Sequence, residues 1–81
     1  MTATAILQEN VADFASRLRS MTGDEVFATM SALERHSEDD TEDRDGALSR
    51  IALVEEEIER RFPGQMLAPY RAWKNEQPLL P

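Results

Sequence analysis

Residues 47–62 read ALSRIALVEEEIERRF, and this stretch decides the fold class. At about 100° per residue, Ala47, Leu48, Ile51, Val54, Ile58 and Phe62 fall on one face of a helix. Glu56 with Arg60 and Glu57 with Arg61 form i to i+4 ion pairs of the favourable orientation outside that face. Pro63-Gly64 stops the helix, so the pattern predicts one over 45–62. Leu53 lies nearly opposite the apolar face, among Ser49, Glu56, Glu57 and Arg60. Its alternative readings are a lone exposed leucine and a contact with a partner or a second copy.

Upstream, Thr22 and Glu25 have the spacing of a capping box, and Met21 and Val26 that of a hydrophobic staple. A second helix is therefore predicted over 23–36, with Val26, Phe27, Met30 and Leu33 inward and Arg35 and His36 near its negative C-terminal end. Before the break, Leu7, Val11, Phe14, Leu18 and Met21 follow a four-three rhythm, widened by Ile6, Ala12 and Ala15, which predicts a first helix over 3–20. Beyond Pro63, Pro69 opens a short helix or turn that carries Tyr70 and Trp73 three residues apart. These aromatics are expected to pack back over the helices. The sharper alternative is an anchor for a partner, with Arg71 between them, since Trp, Tyr and Arg dominate binding hot spots. There is no alternating strand pattern and no internal repeat. The expectation is one all-α domain over 1–81: an antiparallel three-helix bundle with a connector at 37–45 and a C-terminal tail at 63–81.

Composition sets limits on this small chain. At 81 residues an isolated core is small, and the absence of cysteine removes disulfides and thiolate metal sites. Self-association is the expected supplement, as a homodimer. Of the nine basic residues only Lys74 is not arginine, which fits the coding bias of a GC-rich bacterial genome. The net charge is −7, and most of it sits in EDDTEDRDG, residues 38–46, where six carboxylates face one arginine. With no basic stripe, direct binding of DNA, RNA or an anionic membrane is not expected. The N-terminus fits neither a secretory signal nor a transit peptide, and no apolar run approaches the roughly 20 residues of a membrane span, so the expectation is a cytoplasmic protein.

The acidic stretch admits several chemistries. Aligning Gly46 to the sixth position of an EF-hand loop puts Asp43 and Asp45 at ligand positions, but Thr41 and Ala52 stand where the first acid and the bidentate glutamate belong. As a set, Glu38, Asp39, Asp40, Glu42, Asp43 and Asp45 could instead imitate phosphates before a partner with a basic cleft. Small acidic phage and plasmid inhibitors, some anti-restriction and anti-CRISPR proteins among them, are similar in composition. The plainer expectation is a charged connector that stabilises the N-terminal end of the third helix, with Asp45 as its N-cap. Gly46-Ala47-Leu48, Ile51-Ala52-Leu53-Val54 and Glu59 to Phe62 resemble the serine-bearing helix of acyl carrier proteins. That family carries phosphopantetheine on a serine, and Ala47 occupies the equivalent position here.

Catalysis is not expected. His36 is the sole histidine, and Gly23, Gly46 and Gly64 each stand alone at a helix boundary. No catalytic, cofactor or metal residues are assigned. The functional expectation is a non-enzymatic regulatory protein that binds another protein through a helical or C-terminal aromatic surface, with candidate contacts Leu53, Tyr70, Arg71 and Trp73. Imitation of nucleic acid through the acidic stretch is the alternative, and carrier and calcium roles are remote.

Overall fold

The computed structural model describes residues 9–39 and 44–76. Four α-helices and no strand occur among the described residues: α1 (Val11–Ser20), α2 (Gly23–Asp39), α3 (Arg44–Arg61) and α4 (Ala68–Asn75). None is long and apolar enough to cross a membrane.

The first helix starts later than its apolar rhythm suggests. Asn10 is extended, at φ −58° and ψ 140°, and its side chain accepts from the amides of Ala12 at 2.7 Å and Asp13 at 3.4 Å. A side-chain acceptor that satisfies the free amides of the first turn fixes a helix start, and this one overrides the seam running through it. Residues 3–8 of the predicted helix lie outside the described residues. Phe14, Leu18 and Met21 of the seam are buried, but Val11 is 46% exposed.

At the second start the local signals and the structure agree. Glu25 Oε1 accepts from the Thr22 amide at 2.9 Å, and Thr22 Oγ1 accepts from the Glu25 amide at 3.2 Å. Met21 and Val26, the staple residues, share the buried cluster. The far end of α2 overruns its predicted limit at 36. Ser37 donates back to the Glu34 carbonyl at 2.9 Å, and the backbone stays helical to Asp39. Helix α3 begins at Arg44, so both ends of the proposed connector 37–45 are helical. Asp45 is thus the second residue of the helix rather than its N-cap, and Gly46 lies inside the first turn, where glycine costs about 1 kcal/mol relative to alanine.

Helices α2 and α3 form the most extensive pairing. Phe27, near the start of α2, stacks on Phe62, just past the end of α3, with centroids 6.1 Å apart, so the two helices run in opposite directions. Phe14, Leu18, Val26, Met30, Leu33, Val54 and Ile58 are the large side chains fully enclosed between α1, α2 and α3. Of the face predicted for α3, Ala47, Val54 and Ile58 are buried, Ile51 and Phe62 partly so, and Leu48 is 44% exposed.

A second side of α3 is covered as well, by α1. Arg50, Leu53, Glu57 and Arg61, spaced three and four residues apart, form that stripe. Arg50 Nη2 donates to the Glu9 carbonyl at 2.9 Å, ahead of α1. Arg61 Nη2 donates to the carbonyls of Leu18 at 2.9 Å and Met21 at 2.8 Å, past the other end. These bonds fix α1 parallel to α3. A guanidinium over the free carbonyls of a helix C-terminus satisfies both their hydrogen-bonding need and the local negative potential.

Candidate functional site

The C-terminal part of the described chain is organised by a reversal between α3 and α4. The amide of Phe62 donates to the Ile58 carbonyl at 2.8 Å, continuing the helical pattern one residue past α3. Pro63-Gly64 then breaks it: Gly64 adopts φ +79°, a left-handed conformation that suits a residue without Cβ. Its amide donates to Glu59 Oε1 at 3.0 Å. The amides of Gln65 and Ala68 close the turn on the carbonyls of Phe62 and Gln65, at 3.2 and 3.1 Å. Within this closed turn Met66 is also left-handed, at φ 55°, which costs a residue with a side chain roughly 1–2 kcal/mol.

Met66 is 77% exposed, the most exposed of the large apolar side chains identified among the described residues. It stands at the rim of an open groove of about 300 Å³ whose other walls are Leu67, Glu55, Glu59 and Arg71. Leu67 packs partly against the core and makes the apolar floor. Glu55 and Glu59 lie one turn apart on α3, and Arg71 comes from α4. The site therefore combines a flexible thioether, an apolar floor and charges of both signs.

The expected trio Tyr70, Arg71 and Trp73 is split by the helix that carries it. Tyr70 is 3% exposed and Trp73 partly buried, and both turn toward α2. Their rings lie 6.0 and 5.8 Å from Phe27 and 6.2 Å from each other. The Tyr70 hydroxyl donates to Glu34 Oε1 at 2.5 Å, and Lys74 Nζ lies 3.7 Å from the same oxygen. The packing-back reading thus accounts for both aromatics, and Arg71 alone of the three lines the groove. Leu53 faces a smaller groove of about 140 Å³ beside Ala15, Leu18 and Arg19, where α1 half covers it. Of the acidic set, Asp45 is exposed in the first turn of α3. Asp40, Glu42, Asp43 and the side chains of Glu38 and Asp39 lie outside the described residues.

Burial pushes the Tyr70 hydroxyl well above its usual range, and the neighbouring Glu34 carboxylate pushes it further in the same direction. The fold therefore favours neutral tyrosine. That contribution is complete below the unfolded pKa of about 10 and is lost as pH rises through the folded value. Tyr70→Phe is expected to lose about 1.5–3 kcal/mol at neutral pH, since the hydroxyl bonds a charged group. Urea unfolding at pH 7 and at about pH 11 checks both points, because the variant should lack the part of the alkaline loss due to this hydroxyl. Equal stabilities at pH 7 would show that the Tyr70–Glu34 bond contributes nothing.

Sequence reasoning missed Met66 and Leu67, whereas Glu55 and Glu59 of the third helix were legible only as acids that could extend the acidic stretch. In QMLAP the apolar pair has no helical or alternating rhythm to mark which side chain points outward. A left-handed methionine has no local signature either, because closure of the surrounding turn imposes it. The chain matches no known family model, curated protein or solved structure.

Proposed function

We propose that this chain is a non-enzymatic protein that acts by binding another protein through its C-terminal corner, the turn 62–67 together with the outer side of α4. Helices α1 to α3 are read as the antiparallel scaffold, with α4 as the short aromatic element laid across it. The observation that carries the reading is Met66: a large apolar side chain held 77% exposed on a backbone that would be more comfortable with glycine. Left-handed non-glycine residues persist where surrounding structure over-determines them, and they cluster at binding sites. Methionine is also frequent on adaptable binding surfaces, because its unbranched thioether repacks against different shapes.

The test separates the side chain from the fold. Met66→Gly should leave stability unchanged or raise it by up to ~1 kcal/mol, as relief of the left-handed strain offsets the extra freedom of the unfolded chain. The same variant should lose most of the protein captured from an extract of the source cells. Capture that survives Met66→Gly but disappears on charge reversal of Asp39, Asp40, Asp43 and Asp45 would overturn this reading in favour of the acidic stretch as a nucleic-acid mimic. Salt separates the two further, since purely electrostatic capture should collapse between about 50 and about 500 mM while an apolar anchor persists.

A further inference from the structure

We infer that the groove at Met66 accepts a segment of the partner that presents one apolar side chain beside a lysine or arginine. The inference rests on reading the C-terminal corner as a binding surface, and adds to it the chemistry of what binds. Size comes first. At about 300 Å³ and open to solvent, the groove is at the lower end of ligand sites and suits an anchoring side chain better than an enclosed small molecule. Leu67 gives that side chain a floor and Met66 an adaptable wall.

Charge then selects the flanking residue. The Glu55 carboxylate makes no hydrogen bond or ion pair among the described residues, and neither does the Arg71 guanidinium, although both line the same groove. Glu59 uses one oxygen on the Gly64 amide and keeps the other. Two carboxylates one turn apart thus face one guanidinium, leaving the groove negative in a chain of net charge −7. A cationic segment is steered toward such a site, with its basic residue beside Glu55 and Glu59 and a backbone carbonyl within reach of Arg71. The same argument disfavours a second copy as occupant, because each copy would bring a further −7.

The test uses the full chain, isotopically labelled, and three capped synthetic peptides. One has a central leucine between two lysines, the second has alanine in place of leucine, and the third has glutamates in place of lysines. The first should shift the amide signals of Glu55, Glu59, Met66, Leu67 and Arg71, and bind at least ~5-fold more tightly than either of the others. Glu55→Gln with Glu59→Gln should weaken it by a similar ~5-fold while keeping the acceptor for Gly64. Equal response to the leucine and alanine peptides, preference for the glutamate peptide, or shifts confined to other parts of the chain would each overturn the inference. Failure here with Met66-dependent capture intact would remove the partner chemistry and leave the binding surface. Loss of that capture dependence would remove the surface itself.

Discussion

Phe27→Ala is expected to destabilise the protein by about 3–5 kcal/mol, the usual loss when a buried phenylalanine is truncated. Phe27 is 7% exposed and is the shared neighbour of Phe62, Tyr70 and Trp73, with centroids 6.1, 6.0 and 5.8 Å away. Each ring pair adds about 0.5–1.5 kcal/mol beyond the area it buries. A chain of 81 residues has a total stability of only about 4–12 kcal/mol, so the variant should be close to unfolded at the lower end of that range. Phe27 also joins two attachments, α3 through Phe62 and α4 through Tyr70 and Trp73, so its loss should release α4 first. Trp73 is the sole tryptophan, and its emission reports that release separately from the loss of helix seen by circular dichroism. Phe27→Leu keeps most of the volume and should cost less than the alanine variant. A loss below about 1 kcal/mol for Phe27→Ala, or a Trp73 spectrum unchanged in it, would show that the aromatic cluster does not hold α4.

The parts of this fold that could be read in advance are those whose cause is local. Thr22 and Glu25 satisfy each other's amides three residues apart, and Gly64 supplies the positive φ that ends α3, so both features are visible in a few consecutive residues. Leu53 and Glu57 were misjudged because a helical wheel assumes a single buried face, whereas α3 is covered by α2 on one side and α1 on another. The apolar rhythm runs on through Asn10 and hides it, although its side-chain acceptor sets the helix start. The candidate site was legible only at Arg71. Tyr70 and Trp73 stand out in the sequence as aromatics, but which side of α4 meets α2 depends on Phe27 and Glu34, some 40 residues earlier. Of the two expected ion pairs, Glu57 with Arg61 forms, whereas Arg60 pairs with Glu57 rather than with Glu56. The backbone carbonyls that Arg61 also reaches, Leu18 and Met21, lie 43 and 40 residues away in the chain.

Arg61→Ala should cost about 3–5 kcal/mol, because it removes one partner of a buried charge. Glu57 is only 6% exposed, and its carboxylate accepts from Arg61 Nε at 2.6 Å and from Arg60 Nη2 at 2.5 Å. Arg61 continues to the carbonyls of Leu18 and Met21, so the variant also leaves the end of α1 without its donor. Arg60 is 59% exposed at its side chain, and Arg60→Ala should cost at most about 1 kcal/mol. The two alanine variants therefore differ several-fold in effect although both remove an arginine bound to the same carboxylate. Replacing both buried charges, as Glu57→Leu with Arg61→Met, should recover part of the loss. A residual cost of about 1–2 kcal/mol is expected, because the α1 carbonyls still lack a partner. Acid provides an independent readout. Burial works against ionisation of Glu57, but the hydrogen bonds from Arg60 and Arg61 outweigh it, and its pKa ends below the usual 4.5. The stabilisation from this group is therefore present above the unfolded value and fades as pH falls through the folded one. Urea midpoints measured from neutral pH downward should show a steeper acid loss in the native sequence than in Arg61→Ala. Equal costs for Arg60→Ala and Arg61→Ala, together with parallel acid profiles, would mean that Arg61, held by Glu57, does not fasten α1 to α3.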